Sequence, residues 1–186
     1  MKNIISFLLS TCLLLPATSH AQDKFYTKQG RIYFDATGGM EKVEATSAGA
    51  VCVLDTHTGA VQFAVLLKGF EFEKALMQEH FNENYVESDK YPRAEFRGQI
   101  INNQEIAYKK NGTYPARVKG KLTLHGETKE ISCEGNLTIK DGRITVTGDF
   151  VIPLADYHIA IPSLVKDKVA QQVKIRVDCL LDALNN

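Results

Sequence analysis

Alternation of apolar and polar residues is the dominant pattern along this chain. In residues 116–124, for example, Ala116, Val118 and Leu122 alternate with Arg117 and Lys119, and similar stretches occur at 61–67, 94–100, 131–139, 144–152 and 173–179. A period of two predicts strands with one buried and one exposed face, as antiparallel sheets have. With two less regular stretches at 25–35 and 41–55, we expect about eight strands.

Turn residues separate these stretches at suitable intervals. Asp141-Gly142 lies between two alternating runs and predicts a tight hairpin, while Asn111-Gly112 and Thr58-Gly59 mark further turns. Eight antiparallel strands suffice to close a barrel that is filled by side chains or holds one small ligand. We therefore predict an all-β fold with a single antiparallel barrel. A two-sheet sandwich is the alternative.

One segment, near residues 73–84, does not follow the strand pattern. Here Leu76, Met77, His80, Phe81 and Asn84 fall on one face of a helix, because residues three to four apart lie on the same side. The pattern predicts a short inserted helix that closes one end of the barrel as a lid. Its apolar face would dock on the barrel, with His80 and Tyr85 near the rim.

Four glycines stand on the apolar side of their strands: Gly98, Gly120, Gly135 and Gly148. Glycine within a strand marks a bend, a bulge or the close approach of another group. Both coiling of the barrel and an internal ligand channel would explain them, and either indicates a curved sheet.

The first 21 residues have the features of a signal peptide. Lys2 precedes an apolar run at residues 4–15, and Ser19-His20-Ala21 forms a small-residue cleavage site. The run is shorter than the roughly 20 residues that a membrane-spanning helix needs. Cys12 lies inside the run, which favours ordinary export over lipid modification. We predict removal of residues 1–21, one domain at 22–186, and a periplasmic or secreted location.

Charge and cysteine content exclude several classes of protein. The 186-residue chain has 22 basic and 22 acidic residues, which argues against nucleic acid or an anionic membrane surface as the main partner. Removal of residues 1–21 would leave three cysteines, Cys52, Cys133 and Cys179, and an odd number is unfavourable for a disulfide framework. Cys133 and Cys179 share the apolar register of their strands. Buried free thiols are the favoured interpretation, and one disulfide with one free thiol is the alternative.

The sequence contains no pattern that indicates a catalytic or metal site. His57, His80, His125 and His158 are isolated from one another, and no nucleophile elbow or phosphate loop is present. We therefore predict no metal, no cofactor and no enzymatic activity. His80 is interpreted either as a core histidine or as a donor to a ligand head group, and His125 is expected to fix a turn.

Several motifs, in order, resemble the YceI-like family of exported proteins. They are Met77-x-Glu79-His80-Phe81, Lys90-Tyr91-Pro92-x-Ala94-x-Phe96-x-Gly98, the run 120–128, Phe150-x-Ile152, and Asp156-Tyr157-His158-Ile159-x-Ile161-Pro162. Gln78-Glu79 stands where many members have an Arg-Asp pair, and the chain has no tryptophan. The resemblance implies a lipocalin-like barrel without a catalytic centre that holds a long isoprenoid or other amphiphilic lipid.

An apolar bore favours such a ligand, because each buried methylene contributes about 0.8 kcal/mol. The predicted ligand-binding residues are Phe63, Val65, His80, Phe81, Tyr85, Phe96, Val118, Leu122, Ile144, Val146, Phe150, Ile175 and Val177. The predicted function is transport, storage or stress protection through binding of a lipid-like molecule. An envelope scaffold with a filled barrel, and a hydrolase whose His80 or His125 bonds a carboxylate beside a nucleophile, are the alternatives. The sequence leaves the oligomeric state open, a dimer included.

Overall fold

The computed structural model describes residues 23–39 and 42–184. The predicted signal peptide lies outside these residues. Within them, no helix has both the length and the apolar character that crossing a membrane requires.

Among the described residues, nine strands form one antiparallel sheet. They are β1 (Lys24–Thr37), β2 (Glu44–Asp55), β3 (Ala60–Leu66), β4 (Glu71–Phe72), β5 (Arg93–Ile100), β6 (Gly112–Leu124), β7 (Glu127–Lys140), β8 (Arg143–Pro153) and β9 (Val169–Ala183). The strand order is β1-β9-β8-β7-β6-β5-β3-β2-β4, and β1 also pairs with β2. That pairing closes eight long strands into a barrel, which confirms the predicted fold, and the sandwich alternative is wrong.

The alternation in the sequence places apolar side chains inside the barrel. In β6, Ala116, Leu122 and Leu124 are buried, whereas Arg117 and Lys119 are exposed. Because successive side chains of a strand point to opposite faces, the same division applies around the barrel.

The antiparallel order fixes which connections share an end of the barrel. Short connections between β2 and β3 and between β7 and β8 lie at one end, together with the 101–111 connection. Asp141-Gly142 forms the predicted hairpin, with φ of 50° and 77°. The opposite end has the connections 67–92 and 154–168 and the two-residue turn His125-Gly126. Short 3₁₀ turns lie at Leu67–Gly69, Asn103–Glu105, Leu154–Tyr157 and Ser163–Val165.

Side chains fill the end of the barrel that has the short connections. Cys52, Ile139, Ile144, Cys179 and Leu181 are all buried there. The three described cysteines are free, with Cys133 only half-buried, so the structure contains the predicted free thiols. A hydrogen bond to the Cys179 thiol, together with burial, raises the pKa of Cys52.

The predicted helix is present at the opposite end, within the 67–92 connection. An α-helix, α1 (Ala75–His80), continues into a π-helical turn (Phe81–Tyr85), and we call residues 75–85 the lid. Of the predicted apolar face, Met77 and Phe81 are half-buried, whereas Leu76, His80 and Asn84 are exposed. For Asn84 the reason is the wider i→i+5 turn, marked by the Val86 N–H donating to the Phe81 carbonyl, which changes the side-chain spacing after Phe81.

Four phenylalanines dock the lid on the barrel. The Phe81 ring lies 5.4 Å from Phe34, 5.8 Å from Phe70 and 5.1 Å from Phe72, measured between centroids. Phe34 belongs to β1, Phe72 belongs to the short strand β4, and Phe70 lies just before β4. These contacts hold the lid across the barrel end.

Candidate functional site

A cavity of about 490 Å³ lies in the barrel between the filled end and the lid. This volume is within the range of about 300–1,000 Å³ that small-molecule sites occupy. The wall includes residues of β1, β3, β5 to β9 and the lid, and it is predominantly apolar. The barrel is therefore hollow in its lid-proximal part.

All but one of the predicted ligand-binding residues line this cavity. They are Phe63, Val65, His80, Phe81, Tyr85, Phe96, Val118, Leu122, Val146, Phe150, Ile175 and Val177. Ile144 does not belong to the wall. It pairs with Ile139 and Leu181 in the filled end and is 1% exposed.

The cavity wall also contains residues that the sequence reasoning did not select. Ile32 and Phe34 reach it from β1, Phe70 and Phe72 from the lid connection, and Ile159 from the 154–168 connection. The alternation of Ile32 with Phe34 could have indicated the first pair. The sequence pattern predicted the lid helix, but nothing in it indicates that Phe70 and Phe72 before that helix, or the 154–168 connection, also fold back over the barrel.

The four strand glycines form two facing pairs with different surroundings. Gly98 pairs with Gly120, and a Cβ added at either would lie 2.5–2.6 Å from Cζ of Phe96. This pair makes room for the Phe96 ring. Gly135 pairs with Gly148, both line the cavity, and a Cβ on Gly148 would meet only ordinary contacts at 3.6 and 3.8 Å. At Gly135 a Cβ would lie 2.2 Å from the Thr147 carbonyl oxygen, so of this pair only Gly148 leaves cavity space unfilled.

Polar groups reach the cavity near the lid. Lys74, His80, Tyr85 and Lys168 are part of its wall, and burial raises the pKa of the Tyr85 phenol. The Glu95 carboxylate, on a strand that lines the cavity, is ion-paired with the exposed guanidinium groups of Arg93 and Arg97. The site thus combines an apolar interior with a small polar region at the lid.

His125 bonds a carboxylate but lies outside the cavity wall. Its Nδ1 is 2.9 Å from the Tyr157 carbonyl oxygen, and its Nε2 is 2.8 Å from Oε2 of Glu87. Both ring nitrogens are therefore occupied, and neither is available to take a proton from a nucleophile. Among the described residues, no group of three or more His, Cys, Asp or Glu side chains could hold a metal ion.

A YceI-like domain model matches residues 16–181. No functionally curated protein matches the chain at a significant level.

Solved structures with a similar fold include three bacterial proteins. A polyisoprenoid-binding domain from Saccharophagus degradans, implicated in plant cell wall breakdown, has a TM-score of 0.75 at 15% identity, over 87% of this chain and 99% of that one. BcnA of Burkholderia cenocepacia has a TM-score of 0.67 at 17% identity, over 82% and 95%. A YceI protein of Campylobacter jejuni has a TM-score of 0.55 at 14% identity, over 96% and 91%. At these low sequence identities, the TM-scores show similarity of fold alone.

Proposed function

The chain belongs to the YceI-like family, and on that premise we propose that it binds a long isoprenoid or other amphiphilic lipid inside its barrel. The observation that carries this proposal is the 490 Å³ apolar cavity in the barrel. Packed side chains close the barrel on one side of the cavity, and the lid covers the other side. A polyisoprenoid-binding domain is among the proteins that share the fold.

The composition of the wall favours a ligand with a long apolar tail. Removing one methylene from water contributes about 0.8 kcal/mol, so a chain of several carbons binds without many hydrogen bonds. A polar head would lie toward the lid, where Lys74, His80 and Tyr85 reach the cavity. Length and branching of the tail would then determine selectivity more than the head group does.

We further propose that the protein is exported and carries, stores or sequesters this lipid in the periplasm or outside the cell. The predicted signal peptide at residues 1–21 supports export. A cavity covered by the lid shields an apolar tail from water, which suits transport, storage and stress protection equally. Binding rather than catalysis is the role that the cavity favours.

Two glycines offer a direct test. Gly148→Leu would place a side chain in the cavity, whereas Gly49→Leu adds the same side chain at an exposed position of β2 with no atom within 4 Å of its Cβ. We expect native mass spectrometry to detect a bound lipid in wild-type and Gly49→Leu protein purified from the cell envelope of the native organism. Gly148→Leu should bind a fluorescent long-chain lipid at least about tenfold more weakly, a loss equal to fewer than two buried methylenes.

Absence of lipid from the wild-type protein, together with no binding of the fluorescent probe, would contradict the proposed function. Equal binding by Gly148→Leu and Gly49→Leu would show that the lipid binds outside the cavity.

A further inference from the structure

Three chain connections meet beside the lid, and the His125 side chain lies where they meet. His125 belongs to the turn between β6 and β7 and is only 12% exposed. Glu87 lies just after the lid, and Tyr157 lies in the 154–168 connection, which we call the crossover. His125 contacts both, so a single side chain joins residues 86–92, which we call the lid exit, to the crossover.

The two contacts of His125 require a proton beyond that of a neutral imidazole. A carbonyl oxygen only accepts, so Nδ1 must donate its hydrogen to Tyr157. In the neutral ring, Nε2 would then present a lone pair to the Glu87 carboxylate at 2.8 Å, which is repulsive. A proton between Nε2 and Oε2 converts this contact into a charge-assisted hydrogen bond.

From this geometry we infer that His125 is a positioning residue, a proton-dependent latch that holds the lid exit and the crossover together over the cavity. Its effect on lipid exchange rests on the proposed function, whereas the latch itself depends only on the protein. With the proton present, both connections are fastened. Without that proton the Glu87 contact is repulsive while Nδ1 still donates to Tyr157, so the lid exit separates from the crossover.

The lid exit packs closely on the turn that holds His125. The Tyr91 ring meets the His125 ring edge-on, with centroids 4.8 Å apart, and a Cβ on Gly126 would lie 2.7 Å from Cε1 of Tyr91. Glu87 and His125 both adopt left-handed backbone conformations, with φ of 45° and 51°. Such conformations cost about 1–2 kcal/mol each outside glycine and require support from neighbouring contacts.

The crossover covers a place where the barrel wall is incomplete. Pairing between β7 and β8 ends at Glu134 and Asp149, although β7 begins at Glu127 and β8 continues to Pro153. Leu154 and Ile159, on either side of Tyr157, are buried and line the cavity. Separation of Glu87 from His125 would therefore leave the segment that closes this part of the cavity without its connection to the lid exit.

Other titratable and charged groups lie near His125, and their effects on pH dependence must be distinguished from that of the latch. Lys90 lies 4.7 Å from the centroid of Tyr91 and attracts Glu87, while Asp156 neighbours Tyr157. Burial, with a contribution from Asp156, raises the pKa of Tyr157 to about 12, so this phenol stays neutral at physiological pH. His158 contacts Glu127 at 3.1 Å with its side chain 72% exposed, and such a pair contributes little.

Hydrogen exchange of the full chain between about pH 5 and about pH 8, where histidine ordinarily changes charge, tests the latch after correction for intrinsic rates. The readout is peptides covering 81–92 and 154–160. In wild type we expect protection to fall about tenfold or more as the pH rises, as loss of a charge-assisted hydrogen bond implies. In Glu87→Gln the amide N–H can donate to neutral Nε2, so protection should persist across the range. In Glu87→Ala these peptides should lack this protection at every pH.

Two controls separate other sources of pH dependence. His158→Asn should behave as wild type, because asparagine tolerates the left-handed backbone at this position. His80 is present in every variant, so the difference between wild type and Glu87→Gln reports the latch alone. Identical pH profiles of these two proteins would overturn the inference, as would wild-type protection in Glu87→Ala.

Release of a fluorescent long-chain lipid, measured over the same pH range, tests the consequence for binding. Release should accelerate with rising pH in wild type and stay slow in Glu87→Gln. If exchange shows the latch but no lipid binds at any pH, the proposed function fails and the latch stands. If lipid binds but its release rate changes neither with pH nor in Glu87→Gln, the latch has no part in ligand exchange.

Discussion

At the scale of single residues, the turn between β6 and β7 shows that residues distant in sequence restrict which side chains the turn can accommodate. Gly126 has φ of 79° and lies beneath the Tyr91 ring. The sequence alone could indicate that His125 fixes a turn. It could not indicate that Tyr91 and Glu87, over thirty positions earlier, pack on that turn, because no local pattern encodes which connections meet at a barrel end.

Gly126→Ala should destabilise the fold more than Gly142→Ala does. Both glycines have φ near 78°, and an added Cβ strains the backbone by about 1 kcal/mol in each case. At Gly142 nothing lies within 4 Å of the Cβ, but at Gly126 it meets Tyr91 at 2.7 Å. We expect chemical denaturation to show an additional loss of about 1 kcal/mol or more for Gly126→Ala. Equal losses would mean that Tyr91 moves away without cost.

At the scale of elements, strands were easier to predict than the lid. Alternation specifies a strand locally, and Ala116, Val118 and Leu122 point inward as their spacing predicts. In the lid, the same type of reasoning located Met77, His80 and Phe81 on the cavity side but placed Asn84 there as well. The π-helical turn depends on how Phe81 docks among Phe34, Phe70 and Phe72, and this packing is not visible in a helical repeat.

Phe81→Ala should loosen the lid, whereas Leu76→Ala should not. Phe81 contacts three aromatic rings, and each such pair contributes about 0.5–1.5 kcal/mol beyond the area it buries. Leu76 touches the cavity but is 61% exposed, so its truncation removes little packing. We expect Phe81→Ala to be cut faster within residues 75–85 by limited proteolysis at native pH. Similar cleavage of both variants would show that the aromatic cluster does not hold the lid.

At the scale of the whole molecule, the sequence predicted the barrel but not where it is hollow. Gly98, Gly120, Gly135 and Gly148 occupy the same register in the sequence, yet Phe96 packs over the first pair and cavity space adjoins the second. Ile144 and Val146 likewise share one face of β8, but only Val146 lines the cavity. The depth of a residue along the barrel depends on strand stagger and on the connections that fill one end, and alternation gives neither.

The division of the barrel into a filled end and a hollow part predicts opposite consequences for two identical substitutions. Ile144 is 1% exposed in the filled end, so Ile144→Ala should lower the free energy of unfolding by about 2–5 kcal/mol and leave lipid affinity unchanged. Ile175 lines the cavity and is only half-buried, so Ile175→Ala should cost less stability in lipid-free protein but weaken lipid binding. Chemical denaturation with and without lipid measures both effects, because a ligand that binds only the folded state stabilises it in proportion to its affinity. Equal stability losses, with equal stabilisation by lipid, would show that the two residues share one environment and that the barrel is not divided in this way.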